Sequence, residues 1–250
     1  MNRYENKVVL ITGAGDIALA TAERLLDEGA KVALSDFSPK ALATAKQALQ
    51  DKGYDPETVL EVPCNVTKLA DCENVVSEVL KKWGKIDVEV ITAGIIRHLP
   101  IDEMTEKDWQ DVIDVNLTGV FNSMKAVVPT MKEKKYGHIV VISSIGGRTG
   151  RPGVGVNYAA SKAGVNGMVI NLAYNLAPYG ITVNSIAPGP VKGKMFQSMT
   201  PENQTKLQNG IPLGRLGELK EIAGSIAYLS SDDAGWTTGE VLDVNGGLQY

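Results

Sequence analysis

The 250-residue chain is 44 % hydrophobic and 22 % charged, and its net charge of −4 argues against a nucleic-acid partner, which normally requires an excess of Lys and Arg. Its two cysteines lack the paired Cys/His spacing of a zinc site, so neither a disulfide framework nor a metal centre is expected. The N-terminal segment is polar and no stretch reaches membrane-spanning length, which predicts a cytoplasmic protein without a membrane partner.

Short runs rich in Val and Ile alternate with longer stretches of helical periodicity along the chain. The runs that predict β-strands are 7–12, 31–36, 59–65, 86–93, 138–143, 182–187 and 241–244. The stretches that predict α-helices are 17–28, 39–52, 69–83, 106–134, 157–179 and 218–230. Pro129 is expected to kink or shorten the fourth of these helices.

The strand runs are nearly continuous in apolar residues, which favours a parallel sheet covered by helices on both faces. Regular alternation of strand and helix predicts an α/β fold: a Rossmann-like, doubly wound sheet of seven parallel strands in a single domain spanning 1–250. A (β/α)8 barrel shows the same alternation but needs an eighth strand. The longest irregular stretch, 188–213, is predicted to be a substrate-binding loop.

Tyr158 and Lys162 lie four residues apart in a predicted helix, and Ser143 and Ser144 close the strand run before it. At this spacing both side chains share one helix face, one turn apart. An ammonium beside a phenol favours the phenolate and lowers the pKa of the tyrosine, which suits proton transfer near neutral pH. A serine hydroxyl could hold a carbonyl or alcohol oxygen beside them. The same spacing also occurs between ordinary helix residues.

Gly13 and Gly15 lie between the first predicted strand and helix, where a dinucleotide pyrophosphate rests on a helix N-terminus. Asp36 ends the second strand, and a carboxylate there can accept both ribose hydroxyls while repelling a 2′-phosphate. The sequence therefore predicts NAD as cofactor, with NADP less favoured. We interpret Asp16 as a helix N-cap, although the same carboxylate turned inward would repel the pyrophosphate.

Further motifs occur in a fixed order along the chain. They are Thr12-Gly13-Ala14, Asn65-Val66, Ala93-Gly94, Asn116, the Ser144, Tyr158 and Lys162 set, Pro188-Gly189 and a closing 238–247 segment. This ordered set resembles the short-chain dehydrogenase/reductase family over nearly the whole chain. The resemblance implies a nicotinamide-dependent oxidoreductase acting on CH–OH groups and assembled as a homotetramer, with a dimer as the alternative.

The resemblance also implies individual roles. Ser144 would bind the substrate oxygen, Tyr158 would act as acid/base, and Lys162 would lower the pKa of Tyr158 and bind the ribose. Asn116 would hold a water that links Lys162 to solvent. The implied cofactor contacts are Gly13, Gly15, Asp16, Ile17, Asp36, Asn65, Val66, Ala93, Gly94, Tyr158, Lys162, Pro188, Gly189 and Val191.

The phosphate loop departs from most members of that family. It is one residue shorter, with Asp16 and Ala18 in the places of two glycines. Ala18 adds only a methyl group, whereas Asp16 adds a charge that could weaken cofactor binding. This departure slightly favours an alternative of another class, a non-catalytic dinucleotide-binding sensor.

Basic side chains gather in segments that the predicted fold brings to the carboxyl edge of the sheet. Guanidinium groups suit carboxylate, sulfonate or phosphate groups, although loop cations are often merely solvated. With Ser144 and Tyr158, the predicted substrate contacts are Arg97, His98, Arg148, Arg151, Lys192 and Lys194.

The stretch 93–98 also resembles family members that act on gluconate-type sugar acids. Together with the basic loops, this resemblance leads us to expect a small anionic polyhydroxylated substrate, such as a sugar acid or a sulfonate. A 3-oxoacyl thioester and a neutral polyol or sugar are the alternatives.

Overall fold

A computed structural model describes residues 2–150, 154–197 and 200–248 of the chain. In these ranges the strands are β1 (Val8–Thr12), β2 (Lys31–Asp36), β3 (Val59–Pro63), β4 (Val88–Ile91), β5 (Gly137–Ile142), β6 (Ile181–Pro188) and β7 (Val241–Val244). They form one sheet in the order β3-β2-β1-β4-β5-β6-β7, and every neighbouring pair is parallel. The predicted Rossmann-like architecture is confirmed.

Helices connect the strands and cover both faces of the sheet. They are α1 (Asp16–Asp27), α2 (Pro39–Asp51), α3 (Leu69–Trp83), α4 (Glu106–Ile113), α5 (Gly119–Lys134), α6 (Gly146–Thr149), α7 (Val156–Leu176), α8 (Lys194–Gln197), α9 (Pro201–Asn209) and α10 (Leu219–Leu229). The sequence did not predict α6, α8 or α9. Of these, α8 and α9 lie within the loop expected at 188–213.

The core has two apolar layers, one on each side of the sheet. Successive side chains of a strand point to opposite faces, so Leu10 of β1 packs against α3, α5 and α7, whereas Ile11 packs against α1, α2 and α10. Both side chains are almost fully buried. Burial on both faces explains why the strand runs read as continuous apolar segments.

The predicted helix 106–134 is interrupted at a position that sequence periodicity does not reveal. α4 passes into a π-helical turn, Asp114–Thr118, before α5 begins at Gly119. Pro129 lies inside α5, which continues to Lys134, so the expectation that Pro129 shortens the helix was wrong. The π turn contains Asn116, whose side chain is fully buried.

β1 pairs with both β2 and β4, so the chain reverses its direction across the sheet at β1. In an open α/β sheet, ligands bind in the crevice outside the carboxyl ends of the strands at such a reversal. The phosphate loop after β1 and the 93–98 stretch after β4 border this crevice.

Candidate active site

Lys162 is held between the end of β5 and the first turns of α7. Its ammonium donates a hydrogen bond to the backbone carbonyl of Ile142, the last residue of β5, with an Nζ···O distance of 2.7 Å. The Nζ atom lies 5.9 Å from the centroid of the Tyr158 ring. Burial lowers the pKa of Lys162 to about 8, because the charged form is poorly solvated there. A buried, fixed cation therefore stands beside the tyrosine ring.

The two serines after β5 have different surroundings. The Ser143 hydroxyl donates to the backbone carbonyl of Lys162 at 3.3 Å, which joins the strand end to α7. The Ser144 Oγ accepts from the Gly146 N–H at 3.0 Å, so its own hydrogen can be donated to a substrate oxygen. A Cβ placed on Gly146 would lie 3.4 Å from Ser144 Oγ and 3.6 Å from Cε1 of Tyr158. Both side chains therefore flank the same small residue.

Asn116 links the segment after β4 to α7. Its Oδ1 accepts from the N–H of Ile95, and its Nδ2 donates to the carbonyl of Ile95, both at 2.8 Å. The same Nδ2 donates to the Ser161 hydroxyl at 3.2 Å. A Cβ on Gly94 would lie 3.3 Å from Asn116 Oδ1 and 3.6 Å from Lys162 Nζ. The side chains of Asn116 and Lys162 therefore both lie close to Gly94.

The phosphate loop requires glycine at its first position. Gly13 has a φ of +97°, and a Cβ there would lie 2.5 Å from the hydroxyl of Thr92, which donates to the Thr12 carbonyl. No atom would lie within 4 Å of a Cβ on Gly15, the residue that caps α1. Backbone N–H groups in the first turn of a helix have no intrahelical partners. This turn of α1 is a suitable cradle for an anionic group.

Asp36 is fixed at the carboxyl end of β2. Its Oδ2 accepts from the N–H of Ala14 in the phosphate loop at 2.8 Å, and its Oδ1 accepts from the N–H of Ser38 at 2.7 Å. The carboxylate therefore stands directly beside the phosphate loop. Charge-assisted hydrogen bonds of this kind orient it firmly.

Asp16 does not cap α1, which corrects the interpretation of this residue as an N-cap. The N-cap is Gly15, and no side chain caps this end of the helix. The Asp16 Oδ2 instead accepts from the backbone N–H of Lys194 at 2.6 Å, and Lys194 Nζ lies 3.7 Å from Oδ1. Lys194 begins α8, so the phosphate loop is joined to the segment after β6.

The remaining predicted cofactor contacts lie along the same edge of the sheet. Asn65 follows β3, where its Oδ1 accepts from the N–H and the hydroxyl of Thr67 at 3.1 and 2.8 Å. The Val66 carbonyl accepts from Asn122 Nδ2 at 2.9 Å. Of the others, Ile17 lies in the first turn of α1, Ala93 and Gly94 follow β4, Pro188 and Gly189 end β6, and Val191 forms a bridge with Gly217.

Three of the basic residues predicted to bind substrate are paired with carboxylates instead. Arg148 donates to the Val241 carbonyl at 2.9 Å and lies 3.6 Å from the Asp243 carboxylate, so it is attached to β7. Lys192 pairs with Glu218, and Lys194 pairs with Asp16 as described above. Each of these three charges therefore has a local counterion, and contact between these residues and the substrate stays a prediction.

Two of the other predicted basic contacts, Arg97 and His98, lie in the segment after β4. Arg97 is exposed, and its guanidinium donates to the neighbouring Ile96 carbonyl at 3.3 Å. His98 is also exposed. Arg151 lies outside the described residues.

Comparisons with known proteins identify the family of this chain. A family model described as Enoyl-(Acyl carrier protein) reductase matches residues 13–249. The chain belongs to the short-chain dehydrogenase/reductase family. It is an oxidoreductase of that family acting on CH–OH or keto groups, and such enzymes bind a nicotinamide dinucleotide.

Several relatives that are similar in sequence share one description. A 3-oxoacyl-(acyl-carrier-protein) reductase FabG of Thermotoga maritima is 42 % identical over 248 residues, covering 98 % of this chain and 99 % of the relative. The protein of the same description from Haemophilus influenzae is 39 % identical over 245 residues, covering 98 % of each chain. The resemblance to enzymes of sugar acids is not supported by these relatives.

A solved structure described as levodione reductase is also similar to this dehydrogenase/reductase. It is 36 % identical in sequence, has a TM-score of 0.91 and covers 98 % of each chain. The likeness extends over the whole sheet and both helical layers.

The phosphate loop of this short-chain dehydrogenase/reductase fits a dinucleotide. Gly13 adopts the left-handed conformation, and the space beside Gly15 is open, so a pyrophosphate can approach the first turn of α1. The Asp16 carboxylate is engaged with Lys194. Within the described ranges no cluster of His, Cys, Asp or Glu could hold a metal ion, and no helix is both long and apolar enough to cross a bilayer.

The structure adds partners that sequence reasoning missed. The Ile142 carbonyl holds the Lys162 ammonium, and the Ser161 hydroxyl accepts from Asn116. Ser161 lies between Tyr158 and Lys162 in the sequence, so its position in that motif was an available signal. A backbone carbonyl such as that of Ile142 leaves no signal, because every residue has one.

Proposed function

We propose that the protein uses NAD(H) to interconvert the keto group of a 3-oxoacyl thioester and the corresponding secondary alcohol. The observation that carries this proposal is the full-length similarity to relatives described as 3-oxoacyl-(acyl-carrier-protein) reductases. The pairing of Arg148, Lys192 and Lys194 with carboxylates supports a substrate whose reacting end is uncharged.

In the proposed reaction, the nicotinamide supplies or accepts the hydride. The Ser144 hydroxyl donates a hydrogen bond to the substrate oxygen, which fixes its position and stabilises the negative charge that develops there. The Tyr158 hydroxyl gives its proton to that oxygen during reduction and takes one during oxidation. Ser144 and Tyr158 can act on one atom because both flank Gly146.

Lys162 and Asn116 complete the proposed proton-transfer group. The buried ammonium of Lys162 favours the negative charge left on Tyr158 after proton donation. Asn116 holds the segment after β4 in place, and we propose that it also positions the water that connects Lys162 to solvent.

We propose a preference for NAD(H) over NADP(H) because of Asp36. Its carboxylate is fixed beside the phosphate loop, at the end of the second strand of a dinucleotide-binding fold. A 2′-phosphate placed there would meet this negative charge, whereas ribose hydroxyls could donate to it.

A second candidate is the reduction of a compact ketone that is not carried on a thioester. The solved structure described as levodione reductase favours it. The same site chemistry would serve, since only the group attached to the carbonyl differs.

A substrate and cofactor panel tests these assignments. We expect turnover of 3-oxoacyl thioesters, on coenzyme A and on acyl carrier protein, to exceed that of aldonates, sulfonates and polyols, and NADH to outperform NADPH. Faster reaction with aldonates would overturn the thioester proposal, and faster reaction with levodione would favour the second candidate. Tighter binding of NADPH would overturn the cofactor assignment.

We also propose a homotetramer, with a dimer as the alternative. Phe121 of α5 and Ile170 and Tyr174 of α7 are large apolar or aromatic side chains that remain exposed on helices of the same layer. Such exposure supports burial against another copy of the chain. Light scattering coupled to size exclusion measures the assembly, and a monomeric mass would contradict the proposal.

A further inference from the structure

A small polar chamber lies beneath the sheet, on the side covered by α3 and α5. It has room for about one water molecule. Its lining includes Thr12, Ser35, Glu89 and Ser123, together with the thiols of Cys64 and Cys72. None of these side chains belongs to the proposed proton-transfer group.

Several polar atoms that line this chamber lack hydrogen-bond partners among the described residues. Among the described residues, both carboxyl oxygens of Glu89 and the hydroxyls of Thr12, Ser35 and Ser123 are buried without a hydrogen-bond partner. Each such group costs about 1–3 kcal/mol of stability. Glu89 is completely buried, and the loss of solvation raises its pKa well above the ordinary value, so it is a neutral acid that can donate a proton.

The two cysteines face each other at one wall of the chamber. Cys64 follows β3 and Cys72 lies in the first turns of α3, with their Sγ atoms 4.0 Å apart. Both thiols are buried. A disulfide needs the sulfurs to close to about 2 Å, a movement for which the adjoining chamber leaves room.

We propose that Cys64 and Cys72 form a redox-active dithiol that hydrogen peroxide, the smallest hydroperoxide, converts to a disulfide, with Glu89 relaying the protons. The Cys72 sulfur attacks one peroxide oxygen, the O–O bond breaks, and the thiol proton passes to the departing hydroxide to give water and a sulfenic acid. The Cys64 sulfur then displaces the sulfenic oxygen as a second water, which takes the Cys64 proton. Two thiols lose two electrons, and one peroxide gains them.

Cys72 is the attacking residue because it lies in the first turn of α3, where the positive end of the helix dipole favours a thiolate. The hydrogen bond from Cys64 lowers the pKa of the Cys72 thiol, whereas burial and that same contact raise the pKa of Cys64. A thiolate is the reactive form of cysteine.

The dithiol is linked to a segment of the proposed cofactor site. The Val66 carbonyl faces the Cys72 Sγ at 3.8 Å and accepts from Asn122, and Asn65 directly follows Cys64. A disulfide removes the Cys72 donor and pulls on Cys64, so it displaces Asn65 and Val66. Oxidation should therefore weaken NADH binding, an effect that rests on the proposed cofactor contacts of these two residues.

Peptide mapping of the full-length protein after hydrogen peroxide treatment tests the dithiol itself. We expect a Cys64–Cys72 cross-link within one chain that dithiothreitol reverses. In Cys64→Ser, a 1,3-diketone probe should label Cys72 as a sulfenic acid, whereas Cys72→Ser should leave Cys64 much less labelled. A reduced, unlinked wild type after treatment, or equal labelling of the two variants, would overturn the proposal.

Two further measurements test separately the role of Glu89 and the effect of oxidation on NADH binding. Glu89→Gln should form the cross-link more slowly while its circular dichroism matches wild type, and an unchanged rate would remove Glu89 from the mechanism. NADH titration should show weaker binding by oxidised wild type but not by the peroxide-treated Cys64→Ser/Cys72→Ser protein. Cross-linking with unchanged affinity would overturn the coupling, whereas a wild type that never binds NADH would contradict the proposed function and not the dithiol.

Discussion

The carboxylate of Asp16, the first residue of α1, accepts a hydrogen bond from the backbone N–H of Lys194, the first residue of α8. This contact joins residues 178 positions apart. One carboxylate thereby connects the predicted phosphate loop with the predicted substrate loop. Cofactor and substrate affinities should therefore respond differently to changes at Asp16.

Two substitutions of Asp16 separate its charge from its hydrogen bond. Asp16→Asn keeps an oxygen that can accept from Lys194, whereas Asp16→Ala does not. We expect the substrate KM to rise roughly two- to tenfold in Asp16→Ala only, in line with the loss of one hydrogen bond. Both variants should bind NADH more tightly, because a negative charge beside the pyrophosphate site is gone. Equal substrate KM values in the two variants would contradict this role.

Replacement of Tyr158 by Phe tests the proton-transfer role. The change removes only the hydroxyl, so kcat should fall by roughly 10²–10⁴ while NADH affinity is retained. Tyr174→Phe on the same helix is the matched control and should leave kcat unchanged, because Tyr174 is 85 % exposed in the single chain and the change keeps the ring proposed to pack against another copy. Steady-state kinetics and fluorescence titration provide the two readouts. A Tyr158→Phe protein with normal turnover would contradict the proton-transfer role, whereas a wild type that binds NADH without turnover would favour the non-catalytic sensor.

Lys162 should make stability depend on pH in the cofactor-free protein. Its pKa is lowered from 10.5 to about 8 by burial, so between these values the unfolded chain holds a proton that the folded chain has released. The free energy of unfolding should therefore rise with pH across this window, by about 3 kcal/mol relative to Lys162→Met. Denaturant unfolding at several pH values measures the difference. If the difference in unfolding free energy between wild type and Lys162→Met stayed constant from pH 8 to 10.5, the lowered pKa of Lys162 would be contradicted.

Glu89 should produce a pH dependence of the opposite sign. Its pKa is raised well above 4.5 by burial, so above pH 4.5 the folded protein keeps a proton that the unfolded chain loses. Wild-type stability should therefore fall as pH rises, relative to Glu89→Gln, which cannot ionise. The exposed Glu5→Gln serves as the matched control for the removal of one carboxylate charge. If the gap between wild type and Glu89→Gln were the same at pH 4 and pH 7, Glu89 would not be a neutral buried acid.

The sequence predicted the bounds of strands and helices well where those bounds depend on neighbouring residues. The predicted strands 31–36 and 241–244 and the predicted helix 69–83 coincide with β2, β7 and α3. Their ends are set by turn residues and by apolar periodicity, which are visible locally. The interruption of helix 106–134 was not visible, because a π turn requires no special residue at Asn116.

The partners of Asp16 and Arg148 could not be predicted from the sequence, for a different reason. Asp16 was interpreted from its local position at a helix start, whereas its actual partner is Lys194. Arg148 was assigned to substrate because of its loop, whereas Asp243 of β7 lies beside it. Both partners come from distant parts of the chain and meet only when the sheet is complete.

The hydrogen bond from Lys162 to the Ile142 carbonyl joins the proposed proton-transfer group to a strand end and a helix. The segments after β4 and β6 that are predicted to contact substrate, by contrast, consist of loops and short helices. Substitutions in those loops can therefore change which ketone binds, while the proposed acid–base residues keep their positions. The scaffold is modular, and a change of substrate range does not require a change of reaction.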